Sequence, residues 1–269
     1  MDYFEIRIYP VSEEQREIIA SLLAEVNFES FAETEDELLA FIQVDKYSRE
    51  EVTTVCNQFN VSFFEKRIPD QNWNAEWEKN FEPVLIAGKC YIRAPFHKPQ
   101  PGYPFELIIE PKMSFGTAHH ETTALMIEMM MEMDFHDKKV LDMGCGTGIL
   151  AILTDKMGAS EIDAIDNDTW AFTNAVENKE RNYASHVNVN MGDINVAGTD
   201  YDIVLANINR NVLIIQIPEY SERIKKGELL MSGFYEEDLG LIREKAESVE
   251  FSLDKVLTKN RWVAARFIK

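Results

Sequence analysis

Three glycines, Gly144, Gly146 and Gly148, fall within five residues of the segment VLDMGCGTGIL, between two apolar runs. Glycine weakens strands and helices alike, so the cluster marks a turn where bare backbone is needed. Acids recur nearby at comparable places. Asp142 precedes the loop, Asp166 stands in AIDND, and Asp193 stands in NMGDI. The apolar run DIVLAN ends in an amide, Asn207. A glycine turn that opens a helix presents unpaired N–H groups and can cradle a ligand. A dinucleotide fingerprint is G-x-G-x-x-G, with the wide gap serving a pyrophosphate. Here the spacing is G-x-G-x-G, and the carboxylate of Asp142 opposes phosphate while suiting a cationic amino-acid end. Asp166 can accept hydrogen bonds from both hydroxyls of a ribose, as acids at that place do in nicotinamide-binding folds. Asp193 can face an adenine amine.

These residues do chemistry together only if regular elements bring them to one edge. The periodicity predicts a helix over 122–133, a strand over 139–143, the glycine loop, and a helix over 149–157. Next come a strand over 161–166, a helix over 169–182, and strands over 186–191 and 201–207. A helix over 211–224, a strand over 228–232, a helix over 235–248 and two final strand candidates complete the pattern. Strands alternating with helices specify a doubly wound, mostly parallel sheet covered on both faces. In such a sheet ligands sit beyond the carboxyl ends of the strands, where strand order reverses. The glycine loop, Asp166, Asp193 and Asn207 all fall at strand ends, so the predicted ligand is an adenosyl cofactor, S-adenosylmethionine. Asn207 then lies where a methyl-accepting group arrives. In many amino-group methyltransferases this segment reads N-P-P-Y or D-P-P-Y. Here it reads ANINRN, with the Asn but no prolines, which points to an acceptor other than a nucleobase or glutamine. Alternatively, an Asn at a strand end caps the next helix.

The first 66 residues form a separate predicted unit. Residues 3–9 alternate, with Phe4, Ile6 and Ile8 on one side. Ser12 caps a helix whose apolar stripe is Ile18, Ile19, Leu22 and Leu23. Strands over 27–34 and 38–44, a helix over 49–59 and a strand over 61–67 follow. This βαββαβ order is ferredoxin-like. Residues 67–82 carry Trp73, Trp77 and Phe81 at a four-residue spacing, which predicts a linker helix with one aromatic face. Residues 83–269 make up the catalytic domain.

The chain has 269 residues, with 27 Lys and Arg against 47 Asp and Glu, a net charge of −20. Nucleic-acid binding depends on basic side chains neutralising phosphates, so direct reading of nucleic acid is not expected; the acidity would attract a basic protein partner or, alternatively, serves solubility alone. Cys56, Cys90 and Cys145 are scattered, which excludes a disulfide framework and an ordinary zinc site. His119 and His120 are adjacent and point different ways, so no metal is expected. The N-terminus is acidic and lacks a signal-peptide core, and no apolar run could span a bilayer. A cytoplasmic monomer is expected.

Three segments resemble the methyltransferases of large-subunit ribosomal protein eleven, the PrmA family: IIEPKMSFGTAHHETTALMIEMM, VLDMGCGTGILAI and DIVLANI. The first is similar to the family's F-G-T-G-x-H-x-T-T and is the most specific. The resemblance covers nearly the whole chain. It implies a class I, Rossmann-like methyltransferase fold with a small N-terminal ferredoxin-like domain that recognises the substrate. It also implies methyl transfer to amino groups of that ribosomal protein, on lysine side chains, with the N-terminal α-amine a further candidate. By the same resemblance Thr123, Gly144 and Asp166 contact the cofactor, and Asn207 sits at the methyl-transfer centre. Phe115 and His119 or His120 lie in a loop that closes over the site. The chain departs from the family at Ala118, where glycine is usual, and at Asn209, where an apolar residue is more common. The rivals are a methyltransferase of this fold acting on RNA or on another protein, and a non-catalytic adapter.

Overall fold

A computed structural model describes residues 2–34, 36–68, 81–112 and 115–269, and the chain divides into two compact units, Met1–Phe81 and Glu82–Lys269.

The first unit opens with strand β1 (Tyr3–Tyr9), whose Ile6 and Ile8 are fully buried with Phe4 packed beside them. Helix α1 (Glu13–Glu25) starts at a capping box: Ser12 Oγ accepts from Gln15 N, and the Gln15 side chain accepts from Ser12 N. Of the expected stripe, Ile19 and Leu23 are buried, one turn apart, whereas Ile18 is half exposed on the flank of that face. Strands β2 (Ser30–Glu33) and β3 (Leu38–Gln43), helix α2 (Arg49–Gln58) and strand β4 (Ser62–Ile68) follow. All neighbours in the sheet are antiparallel, in the order β2-β3-β1-β4. Strand β4 continues beyond the expected domain boundary at residue 66. Most of the expected linker helix over 67–82 lies outside the described residues.

In the second unit, β5 (Val84–Ile86), β6 (Cys90–Arg93) and β7 (Phe105–Ile108) form a small sheet in which β6 and β7 are parallel. Helix α3 (Glu121–Met130) then leads into the main alternation. Its members are β8 (Lys139–Met143), α4 (Ile149–Lys156), β9 (Glu161–Asp166), α5 (Thr169–Arg181), β10 (Val187–Met191) and β11 (Ile203–Asn207). Helix α6 (Arg210–Arg223), β12 (Glu228–Tyr235), α7 (Leu239–Glu247), β13 (Ser252–Lys259) and β14 (Trp262–Ile268) complete it. The sheet order is β10-β9-β8-β11-β12-β14-β13, the first five parallel and β14 antiparallel to both its neighbours.

Both faces are covered. Val140 and Leu205 belong to one apolar cluster with α3 and α4, while Leu141, Val204 and Ala206 belong to another with α6 and α7. That two-sided burial is why DIVLAN reads as an almost unbroken apolar run. Helix α7 starts at Leu239 rather than at residue 235, because β12 continues through Gly233 to Tyr235. No helix among the described residues is long and apolar enough to cross a membrane. Chain order reverses between β8 and β11, and the crevice at that point is where a ligand belongs.

Candidate active site

A cavity of about 670 Å³ opens at this crevice. Gly144 and Gly146 line it from the loop after β8, Asp166 and Asp193 from the ends of β9 and β10, and Asn207 from the end of β11. Phe115, His120 and Trp262 line it too. Most of the sequence-predicted residues therefore share one pocket, but Asp142, Gly148 and Thr123 are not in its lining. Thr123 is fully buried, with the neighbouring Thr122 in its place. Its hydroxyl instead lies 3.2 Å from Asn207 Nδ2 and accepts that hydrogen bond.

The glycine loop is held from several sides. Gly144 N and Cys145 N both donate to Ile165 O, at 2.8 and 3.1 Å. Asp166 Oδ2 accepts from Gly146 N at 2.9 Å and Oδ1 from Asp168 N at 3.0 Å. Each carboxylate oxygen has a second lone pair for a ligand hydroxyl. Much of the space that the glycines leave is used by the chain itself: a Cβ on Gly146 would lie 2.3 Å from Phe115 O. Asp193 caps the short 3₁₀ turn Ile194–Val196, its Oδ1 accepting from Asn195 N and Nδ2.

Two buried side-chain oxygens at the site, Asp142 Oδ1 and Asn207 Oδ1, have no hydrogen-bond partner among the described residues. An unpaired buried acceptor costs the full desolvation of that group, so the oxygen of Asn207, which lines the cavity, is a natural place for a ligand donor. Asn207 does not cap the next helix. That task falls to Asn209, whose side chain accepts from Asn211 N and Val212 N, and this leaves the Asn207 amide to the cavity. The carboxyl of Asp142 is pushed up to about 7 by burial, held back by the Ala151 N–H and reinforced by the charge of Asp166. Burial likewise raises the Cys145 thiol well above its usual range, which suits packing rather than attack.

No lysine or arginine is among the lining residues, whereas Asp166, Asp168 and Asp193 are. A phosphate-bearing ligand would meet only like charge here. A nucleoside carrying a cationic amino-acid end meets acceptors for its ribose, its base and its ammonium, so the donor set fits S-adenosylmethionine. Among the described residues no group of three or more acids, cysteines or histidines could hold a metal ion.

The far wall is aromatic. Trp262 lies against Tyr235, ring centroids 4.0 Å apart, and His120 meets Trp262 edge-on at 4.9 Å. Phe115 follows, 5.1 Å from His120. His120 caps α3, its side chain accepting from Thr122 N, and His119 reaches Glu82 O at 2.9 Å. Local sequence gives no sign of Trp262. It arrives through β14, a strand inserted antiparallel between β12 and β13, and pairs with Tyr235 across the ladder.

A family model described as ribosomal protein L11 methyltransferase (PrmA) matches residues 5–269. The ribosomal protein L11 methyltransferase of Phocaeicola vulgatus is 40% identical over 279 residues, covering 100% of this chain and 99% of that protein. Its counterpart from Porphyromonas gingivalis is 43% identical over 260 residues, covering 93% of this chain and 90% of that one. Among solved structures, the ribosomal protein L11 methylase of Lactobacillus delbrueckii subsp. bulgaricus matches with a TM-score of 0.65 at 24% identity. It covers 70% of this chain and 98% of its own, and it shares the fold. The chain belongs to the ribosomal protein L11 methyltransferase family.

Proposed function

We propose that the cavity between β8 and β11 is where methyl groups pass from S-adenosylmethionine to amino groups of ribosomal protein L11, with Asn207 orienting the acceptor nitrogen. Membership of the family makes the chain a protein methyltransferase with that substrate class. The observation that carries the assignment of roles is the unpartnered Oδ1 of Asn207.

When bound, S-adenosylmethionine supplies a methyl group already activated on a sulfonium. The glycine loop, Asp166, Asp193 and Phe115 would hold it, and Asp142, near the end of β8, would accept from its amino-acid end. The protein's remaining task is alignment of the acceptor. Lysine has a reference pKa of about 10.4 and attacks only when neutral. The aromatic wall of Phe115, His120 and Trp262 offers no carboxylate to stabilise an ammonium, and exclusion of water disfavours the charge. Asn207 Oδ1 can then accept a hydrogen bond from the neutral amine and point its lone pair inward. Thr123 contributes by fixing the opposite end of the same amide. Water removes the proton before docking, so no dedicated base is required.

The first unit, with its own apolar core, would hold the substrate protein. The acidic chain complements a basic partner. In this reading the enzyme acts as a cytoplasmic monomer and reads no nucleic acid directly. The test uses tritium-labelled S-adenosylmethionine with purified L11 and, separately, ribosomal RNA. Label in lysines or the α-amine of L11, located by mass spectrometry, is the expected result. Label confined to the RNA would replace this proposal with its rival.

A further inference from the structure

Helix α5 carries three buried asparagines, Asn174, Asn178 and Asn182 (the last at its C-cap), spaced four residues apart on one face. They face the end of β7 and the residues after it. Asn182 Oδ1 accepts from Ile108 N at 2.9 Å, and its Nδ2 donates to Ile108 O at 2.7 Å. One turn earlier, Asn178 Oδ1 accepts from Glu110 N at 2.9 Å. Asn174 Nδ2 approaches Glu110 O at 3.5 Å. The other edge of this segment is already paired, Ile109 N donating to Arg93 O at 2.9 Å.

The match of periods explains the arrangement. Four residues of helix rise about 6 Å, and two residues of strand rise about 6.6 Å. Side-chain amides at that spacing can therefore meet successive outward-facing peptide groups of an edge strand. The asparagines do what a neighbouring strand would do, on an edge that would otherwise leave polar groups buried and unpaired.

Asn178 has a second partner that Asn182 lacks. Its Nδ2 donates at 3.0 Å to Thr147 O, in the glycine loop. Thr147 in turn donates through its N to Phe115 O at 2.9 Å and through its hydroxyl to Gly116 O at 2.5 Å. One amide thus holds the segment before Phe115 with its oxygen and the glycine loop with its nitrogen. The loop residue so held grips the chain again at Phe115.

We propose that Asn178 is a positioning residue that sets the glycine loop against the Phe115-bearing segment, so that both reach the cavity in register for the adenosyl cofactor. The proposal deepens the cofactor assignment above and rests on it. Only an amide serves both partners, because one end must accept from Glu110 N and the other must donate to Thr147 O.

A matched pair of substitutions tests it. Asn178→Asp keeps an acceptor for Glu110 N but presents no donor to Thr147 O or to its other partner, Asn174 Oδ1 at 3.1 Å. Asn182→Asp makes the same chemical change one turn away, where the amide serves Ile108 and the Asn178 carbonyl but not the glycine loop. Affinity for S-adenosylhomocysteine is measured by calorimetry on each folded variant. The expected result is a loss of about tenfold for Asn178→Asp, from the unmade hydrogen bonds to Thr147 O and Asn174 Oδ1, and no comparable loss for Asn182→Asp. Equal affinities in the two variants overturn the proposal, whether both match wild type or both fall alike. Amide-resolved hydrogen exchange on the unaltered protein gives a second reading should Asn178→Asp fail to fold. The Glu110 and Thr147 amides are expected to open together and to gain protection together when S-adenosylhomocysteine is added. Independent opening of the two refutes the coupling. A wild-type chain that binds no S-adenosylhomocysteine removes the cofactor assignment instead, and the shared opening of the two amides still decides the role of Asn178.

Discussion

The two halves of the cavity are built on opposite principles. One half is made of strand ends and acids: the loop after β8, Asp166 and Asp193, each carboxylate already engaged with backbone N–H groups. The other half is made of rings, Phe115, His120 and Trp262, around Asn207, whose amide oxygen is free. Carboxylates hold hydroxyls and amines that stay in place throughout. A ring wall with a single neutral acceptor suits a nitrogen that must lose its charge before it reacts. The difference separates binding from turnover, and substitutions on either side should show it.

The largest effect is expected at Asn207. Asn207→Ala removes the free acceptor and leaves Thr123 without its partner, and misplacing the acceptor by about 1 Å can cost on the order of a hundredfold in rate. We expect turnover on ribosomal protein L11 to fall by that order while S-adenosylhomocysteine binding, measured by calorimetry, stays close to wild type. A matching loss of binding would mean that the halves are not separable.

Asp166→Ala should do the reverse. It deletes the acceptor for Gly146 N and for Asp168 N, and hydrogen bonds to a charged group contribute about 1.5–3 kcal/mol each. Cofactor affinity should fall by about tenfold or more, with turnover at saturating cofactor much less affected. Rate measurements across a cofactor titration check this directly. A drop in saturated turnover as large as that of Asn207→Ala would merge the two roles.

Beneath the acid half lies Asp142, and it gives the comparison a pH dependence. Burial raises its carboxyl from the usual 3.8 to about 7. Below the lower value the group is neutral in folded and unfolded chains alike. As pH rises from there toward about 7, the unfolded chain ionises first and is favoured, so the folded state loses stability. Asp142→Asn stays neutral throughout. Its urea midpoint should therefore gain on wild type as pH rises across that window, and parallel curves would show that Asp142 ionises freely in the fold.

The acid half was the more legible in sequence because its signals are local. A glycine cluster, a strand before it and acids at strand ends can all be read within a few residues. The amide half was legible only in part. Asn207 closes an apolar strand and could be named, but Trp262 reaches the cavity through a strand whose partners are distant in the chain. Gly233 shows the same limit at an element boundary. In MSGFYEE it reads as the end of a strand, yet it forms a bulge in which a Cβ would meet Ile208 O at 2.1 Å, and β12 runs on to Tyr235. Thr122 and Thr123 differ by a rotation about a helix axis. The motif HETT gives both hydroxyls, and only packing decides that Thr122 faces the cavity while Thr123 turns to Asn207.

The smallest effect is expected where the two halves are joined, in the segment from Phe115 to His120. Ala118 is buried there with φ +67, a left-handed conformation that glycine adopts freely. A side chain in that region costs about 1–2 kcal/mol. Ala118→Gly removes that cost but gives the unfolded chain back about 0.4–1 kcal/mol of freedom and loses a buried methyl. The net gain is a fraction of about 1 kcal/mol, or about 1–2 °C in melting temperature. Calorimetric melting with and without S-adenosylhomocysteine reads it. A larger gain with the ligand present than without it would place the strain in the bound arrangement of the loop. A clear loss of stability in both would show that the methyl group contributes more by packing than its backbone angle costs.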